Sequence, residues 1–275
     1  MATQIPIFII SLARAPERRA SICAHLDGLG LNYQVMDAVD GKLMPEAERS
    51  ALLAPGINYV AGVVGCYLSH VRVYEHIVRE DIPMALILED DARLNPRIVE
   101  HLKQGRAVTT DFDYCLLDCD DCSEDTPVYY DPDTRQPLFP GFPIYETNIG
   151  PALLHAYLMT SKGAHRRLEH AWPIYKPVDV YSALPYRPRI LVCVDPKGAY
   201  VSEYSRQSFT SNRHDTEPLK LKFLRRFPLF YKLKDWLMLK PLKGRMRVTA
   251  LKQKGVLPND RRWYPMPSGR NIADF

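Results

Sequence analysis

The apolar residues of this chain fall into two periods. Residues 5–12, I-P-I-F-I-I-S-L, are almost unbroken in their hydrophobicity, the pattern of a strand covered on both faces. A-R-A-P-E-R-R-A then opens a helix, with Pro16 and Glu17 suited to its first turn, Ile22, Leu26 and Leu29 as its buried stripe and Gly30 as its stop. N-Y-Q-V-M-D-A-V reads as a second strand closed by Asp40 and Gly41, which completes a β-α-β opening. G-C-Y-L-S-H-V-R-V-Y-E-H-I-V-R-E predicts a helix with Leu68, Val71, Ile77 and Val78 among its inward positions. Pro83 precedes a strand at Met84–Leu88, and a further helix is expected from Pro96 to about Gln104, followed by a strand at Tyr114–Leu117. The Asp-, Pro- and Tyr-rich span from Cys119 to Pro143 reads as a long loop. A-L-L-H-A-Y-L-M-T predicts a strand, and S-K-G-A-H-R-R-L-E-H a helix with Ser161 as its N-cap. There is no internal repeat.

Alternating strands and helices of this kind predict an α/β fold: a Rossmann-related, mostly parallel sheet flanked by helices. At 275 residues, 46% hydrophobic and 25% charged, the chain has the composition of a globular protein with a sizeable core. No run approaches the roughly 18 consecutive apolar residues that span a bilayer. The first residues lack a basic segment and a small-residue cleavage site, so no signal peptide is expected and a cytoplasmic location is.

Charge alters that picture. Residues 219–275 hold 15 Lys or Arg against Asp235, Asp260 and Asp274, a net of +12. The whole chain is +4, which leaves residues 1–218 at −8. Two parts are therefore expected, a domain over 1–218 and a basic helical extension over 219–275. In the extension basic residues interleave with Phe, Leu and Trp, while Pro228 breaks any single long helix. That chemistry suits an anionic membrane surface. Packing against the acidic body is the structural alternative, and nucleic acid is the least favoured partner.

Six cysteines fit a reducing compartment. Cys115, Cys119 and Cys122 have a C-x3-C-x2-C spacing compatible with an iron–sulfur cluster or zinc. Asp118, Asp120 and Asp121 would crowd such a site with negative charge, and a strand running into an acidic loop is the preferred reading.

The strand at Met84–Leu88 ends in three carboxylates, Glu89, Asp90 and Asp91. Adjacent acids repel one another and raise each other's pKa when desolvated, so a positive charge should offset them. A divalent cation, Mn²⁺ or Mg²⁺, is the natural candidate, because the carboxyl edge of an open α/β sheet is where ligands bind and such an ion bridges phosphates there. A solvated acidic loop is the bland alternative.

Several motifs then fall in order. I-S-L-A-R-A-P-E-R-R, M-D-A-V-D-G, G-V-V-G-C-Y-L-S-H-V-R-V-Y, A-L-I-L-E-D-D-A, H-A-Y-L-M-T-S-K-G-A and P-V-D-V-Y together resemble glycosyltransferase family 25, the lipopolysaccharide-biosynthesis glycosyltransferases, over residues 5–210. The resemblance implies a GT-A-like fold and inverting transfer of a hexose, most often galactose, from a UDP-sugar. It implies Asp91 as a metal ligand, with Glu89 on the metal or the ribose. Around the donor it implies Leu12, Arg14, Arg18, Asp37, Ala38, Asp40, Ser69, Asp90 and His155. Asp179 and His70 are the implied catalytic candidates, Asp179 as the base. Ser11 stands where the family usually has Asn, and Val63–Val64 where an acidic residue and a leucine are usual. The expected acceptor is a lipid-linked oligosaccharide at the inner face of a bacterial inner membrane. A catalytically degenerate binder of nucleotide sugar or membrane with the same fold is the alternative.

Overall fold

The computed structural model describes residues 4–105, 107, 110–118, 129–147, 154–180, 185–202 and 264–265. Eleven strands and five α-helices are found there. β1 (Ile7–Ser11), α1 (Pro16–Gly28) and β2 (Gln34–Asp37) form the expected β-α-β opening. α2 (Glu46–Ala51) and α3 (Ala61–Arg79) lead to β3 (Met84–Glu89) and the short β4 (Ala92–Leu94). α4 (Val99–Lys103), β5 (Tyr114–Leu116), β6 (Tyr129–Phe139), β7 (Phe142–Thr147), β8 (Ala156–Thr160) and α5 (Ser161–Leu168) follow. The last strands are β9 (Ile190–Cys193), β10 (Ala199–Val201) and β11 (Tyr264–Pro265).

Nine strands form one sheet in the order β11-β6-β7-β9-β5-β8-β3-β1-β2, and β10 pairs with β4 apart from it. The opening half β3-β1-β2 is parallel, β9 runs parallel to β5, and the remaining pairings are antiparallel. The fold is thus α/β with a mixed sheet. Alternate residues of its inner strands feed two cores. Phe8, Ile10, Ala85, Ile87, Tyr157 and Met159 point to one, with residues of α3 and α5. Ile7, Ile9, Leu86, Leu88, Ala156 and Leu158 point to the other, with residues of α1 and α4.

α1 buries Ile22 and Leu26, as its pattern predicts. It stops in a Schellman arrangement, with Gly30 N–H on the Asp27 carbonyl and Leu31 N–H on the Leu26 carbonyl. Two expectations need correction. The span from Cys119 to Pro143 is not all loop. Tyr129–Phe139 and Phe142–Thr147 pair as an antiparallel hairpin with register shifts that accommodate its prolines. Its burial alternates from Tyr129 to Pro137, but the Asp and Pro residues along it do not follow an apolar period, which hid the strand. The cap of α5 is Thr160, whose Oγ1 accepts from Gly163 N–H at 3.1 Å, with Ser161 already the first helical residue. Cys119, Cys122 and residues 219–263 lie outside the described residues. Within the span assigned to the basic extension, Tyr264–Pro265 adds a short edge strand to β6.

α3 is set in place by a close backbone approach. A Cβ on Gly65 would lie 2.5 Å from the Val39 carbonyl oxygen and 2.7 Å from Gly41 N. One turn on, Ser69 Oγ accepts from Val39 N–H at 2.8 Å and donates to the Gly65 carbonyl at 2.6 Å. The glycine of G-C-Y-L-S-H therefore lets the helix touch the loop after β2. Gly65→Ala is expected to destabilise the protein by ~1–3 kcal/mol through overpacking against backbone that has little room to yield. Chemical denaturation reads this directly, and an unchanged midpoint would show that the loop can retreat.

Candidate active site

Topology assembles the site. β1, β2 and β3 run parallel in a register that puts Ser11 beside Asp37 and Ile10 beside Glu89, so three strand ends share one edge. β8 runs the other way, with Ala156 opposite Leu88, so its start meets the end of β3. The Glu89 N–H donates to the His155 carbonyl at 2.8 Å. An antiparallel neighbour thereby delivers His155 to the acids, although 64 residues separate it from Asp91.

The three carboxylates have different surroundings. Asp90 and Asp91 are buried, and Glu89 is half-buried. Asp90 accepts from Arg18 Nε at 2.6 Å and from Ser11 Oγ at 2.9 Å. Arg18 Nη2 also pairs with Asp90 and lies 3.2 Å from Asp91 Oδ2. His155 Nδ1 is 2.9 Å from Asp91 Oδ1 and 3.6 Å from Glu89 Oε2. His70, fully buried on α3, places Nε2 3.3 Å from Glu89 Oε1 and Nδ1 2.8 Å from the Tyr157 hydroxyl. The Tyr157 hydroxyl meets that of Tyr74 at 3.0 Å. The positive charge that the acids require is thus supplied in part by the chain itself, by Arg18 and the imidazole of His155.

The electrostatics follow from these contacts. Burial acts to raise the Glu89 pKa, but the His70 hydrogen bond and the charges of His155, His70 and Arg18 outweigh it and hold Glu89 well below the usual carboxylate range. Burial also disfavours protonated His155, yet its bond to Asp91 and the charges of Glu89, Asp91 and Asp118 raise it to about 9. For Asp90 burial wins over Arg18 and Ser11, and its pKa is raised.

One group of donors suits a cation. Ligand atoms of Glu89, Asp91 and His155 all lie within 4.8 Å of one another, a carboxylate and imidazole set compatible with Mn²⁺ or Mg²⁺. Cys66, His70 and Glu89 form a second group at the same spacing, sharing Glu89. Asp90, tied to Arg18 and Ser11, is committed to holding the turn.

The other predicted residues line the first two loops. Arg14 pairs with Asp40, which also caps the turn after β2 by accepting from Lys42 N–H at 3.1 Å. Asp37 is exposed and pairs with Arg19 at 2.6 Å, while Arg19 also donates to the Ser11 carbonyl at 2.8 Å. The Ala38 N–H donates to that same carbonyl at 3.0 Å, and the Leu12 carbonyl closes the turn into α1 through Ala15 N–H. Asp179 is buried in a turn closed by Val180 N–H on the Pro177 carbonyl. Arg19, Tyr74 and Tyr157 escaped the sequence reading. A helical spacing of four from Cys66 through His70 to Tyr74 is the signal that marks Tyr74; no comparable spacing marks Arg19 on α1 or Tyr157 on β8.

The description glycosyltransferase family 25 (LPS biosynthesis protein) matches residues 4–182, nearly two thirds of the chain. The chain belongs to this family. A mouse protein named inactive glycosyltransferase 25 family member 3 is 33% identical over 108 residues, covering 36% of this chain and 18% of its own length. A Drosophila melanogaster glycosyltransferase 25 family member is 35% identical over 103 residues, covering 33% and 16%. The matched stretch is under a fifth of those relatives' lengths. Among solved structures, the mannose-1-phosphate geranyltransferase from Thermus thermophilus overlaps with a TM-score of 0.38 at 12% identity, covering 73% of this chain and 76% of that one. A glycosyltransferase involved in glycosylation of the major capsid of PBCV-1 gives 0.31 at 8% identity, covering 61% and 63%.

Proposed function

We propose that the chain is an inverting glycosyltransferase that moves a hexose, galactose first among the candidates, from a UDP-sugar to a lipid-linked oligosaccharide of the lipopolysaccharide core. The observation that carries this reading is the convergence of Glu89, Asp91 and His155 donor atoms within 4.8 Å at the carboxyl edge of the sheet. Those residues would hold Mn²⁺ or Mg²⁺, His155 giving up its proton to do so. A cation bound there would neutralise charge developing on the departing diphosphate. Arg18 fixes Asp90 and Asp91 in place, and His70 orients Glu89 from within the core. Arg14, Arg19, Asp37 and Asp40 frame the loops where a nucleoside would lie. Asp179 is the proposed base, taking the proton from the acceptor hydroxyl as that oxygen forms its bond to the sugar.

Melting the protein with UDP-galactose, UDP-glucose, UDP-N-acetylglucosamine and a GDP-sugar, each with Mn²⁺ or with EDTA, tests this reading. Ligands that bind the native state raise its melting temperature. One UDP-sugar should stabilise in Mn²⁺ and not in EDTA, and the absence of any metal-dependent shift would contradict the donor assignment.

Among the described residues no helix is long and apolar enough to cross a membrane. In the proposal the basic tail supplies attachment to the inner face of the bacterial inner membrane. Removing residues 219–275 should weaken binding to anionic vesicles at least several-fold in low salt, where unscreened charge acts most strongly. Unchanged cosedimentation would contradict a membrane role.

A degenerate binder is the second reading. Two observations favour it: Arg18 already spans Asp90 and Asp91, and the mouse relative is named inactive. Slow hydrolysis of the donor separates the two, since an active transferase leaks sugar to water and a binder does not.

A further inference from the structure

A second charge imbalance lies on the α3–α5 side of the sheet. Arg166 on α5 is paired with the buried Asp113 at 2.6 Å. Its neighbour Arg167 is only 3% exposed, and no carboxylate among the described residues pairs with it. Its contacts include the Tyr67 ring, 5.1 Å from Cζ to centroid, the Tyr67 hydroxyl, and a long bond to the His170 carbonyl at 3.5 Å. Among the described residues Arg167 Nε is buried without a hydrogen-bond partner, and so is the hydroxyl of Tyr186. The Tyr186 ring lies 5.1 Å from that of His170 and 4.5 Å from Arg166 Cζ.

A buried guanidinium without a counter-charge is costly, and attraction to a ring face offsets only part of that cost. The surroundings show what could supply the rest. Arg167 lines a cleft with Tyr67, His170, Tyr175, Lys176 and Val180, and among the described residues no acid contributes to its wall. Tyr175 and Lys176 are exposed. Val180 follows Asp179 directly, so the cleft adjoins the turn that carries the proposed base.

We propose that this cleft is an anion site that takes a phosphate or carboxylate group of the acceptor. A guanidinium offers a planar fork that matches either oxyanion, and Lys176 adds a mobile second charge. The acceptor half of the proposal rests on the transferase reading, with the acceptor hydroxyl at Asp179. The anion site itself rests only on the cleft.

Calorimetric titration of the full chain with glucose 6-phosphate, glucuronate, glucose and inorganic phosphate tests it. Both charged sugars should bind at least 10-fold more tightly than glucose, and glucose 6-phosphate more tightly than inorganic phosphate. Lys176→Glu, at an exposed position, should weaken the charged sugars at least 3-fold, and Arg167→Met should remove their binding. Equal affinities for glucose and glucose 6-phosphate would overturn the site, as would indifference to Lys176→Glu even if Arg167→Met fails to fold. The same holds if an acid of this chain already fills the cleft, because no anion would then bind. Inorganic phosphate binding as tightly as glucose 6-phosphate would overturn the acceptor assignment. UDP-galactose binding with Mn²⁺, read on the same samples, should be untouched by either substitution. Its absence from the wild type, with anion binding intact, would count against the donor reading and not against the cleft.

Discussion

Asp91→Asn is expected to lower sugar transfer by at least roughly 10²-fold, the scale set by removing one group that stabilises transition-state charge. Asparagine keeps the size of the side chain but has a single acceptor oxygen, enough for His155 or Arg18 and not both. Arg18 keeps its pair with Asp90, so a cooperative fold should survive. What it loses is the charge that lets Asp91 Oδ1, beside His155 at 2.9 Å, complete a cation site with Glu89. Product formation and a denaturation curve measured on the same preparation separate the two effects. Full activity would remove Asp91 from the metal site, whereas lost activity with a lost fold would assign it to stability.

Arg18→Met is expected to act mainly on stability. Arg18 is buried and touches both Asp90 and Asp91, and the substitution leaves Asp90 without its cation and Asp91 with His155 alone. Breaking a buried pair by removing one partner costs ~3–5 kcal/mol. Urea unfolding should show a loss of that order. Adding Asp90→Asn to Arg18→Met should recover part of it, because the unpaired charge then disappears with its partner. Mn²⁺ should stabilise the Arg18→Met protein more than the wild type, since a bound cation would take over part of the missing charge. A loss under about 1 kcal/mol would mean that water already reaches the acids.

These two residues also mark how far the sequence could be read. The E-D-D run after four apolar residues revealed an acidic site at a strand end, and the strand is there with its acids at the sheet edge. The need for a positive charge was legible too. Its source was not, because Arg18 reaches Asp90 across 72 positions and only the packing of α1 under the sheet brings them together. His155 was visible through its motif, but its place depends on β8 running antiparallel to β3, a matter of topology rather than of local pattern. The buried stripe of α1 was plain from spacing. On α3 the apolar spacing identified Val71 and Ile77, and Tyr67 and Tyr74 fall at the same helical period. What the spacing does not encode is the tertiary hydrogen bonding of the two tyrosines and His70, to the Ala171 carbonyl and the Tyr157 hydroxyl. The β6–β7 hairpin was masked by the residues that usually signal loops, since Pro132, Pro137 and Pro143 sit in strands at the irregular side of the sheet.

The central claim is that Glu89, Asp91 and His155 hold a divalent cation that binds together with a UDP-sugar. Mn²⁺ binding followed by its paramagnetic resonance signal, with and without UDP, tests this most directly in wild type and in Asp91→Asn. The account predicts one tightly held Mn²⁺ per wild-type chain when UDP is present, and none above background in Asp91→Asn. Mn²⁺ held equally well by Asp91→Asn, or no Mn²⁺ held by the wild type even with UDP, would contradict it.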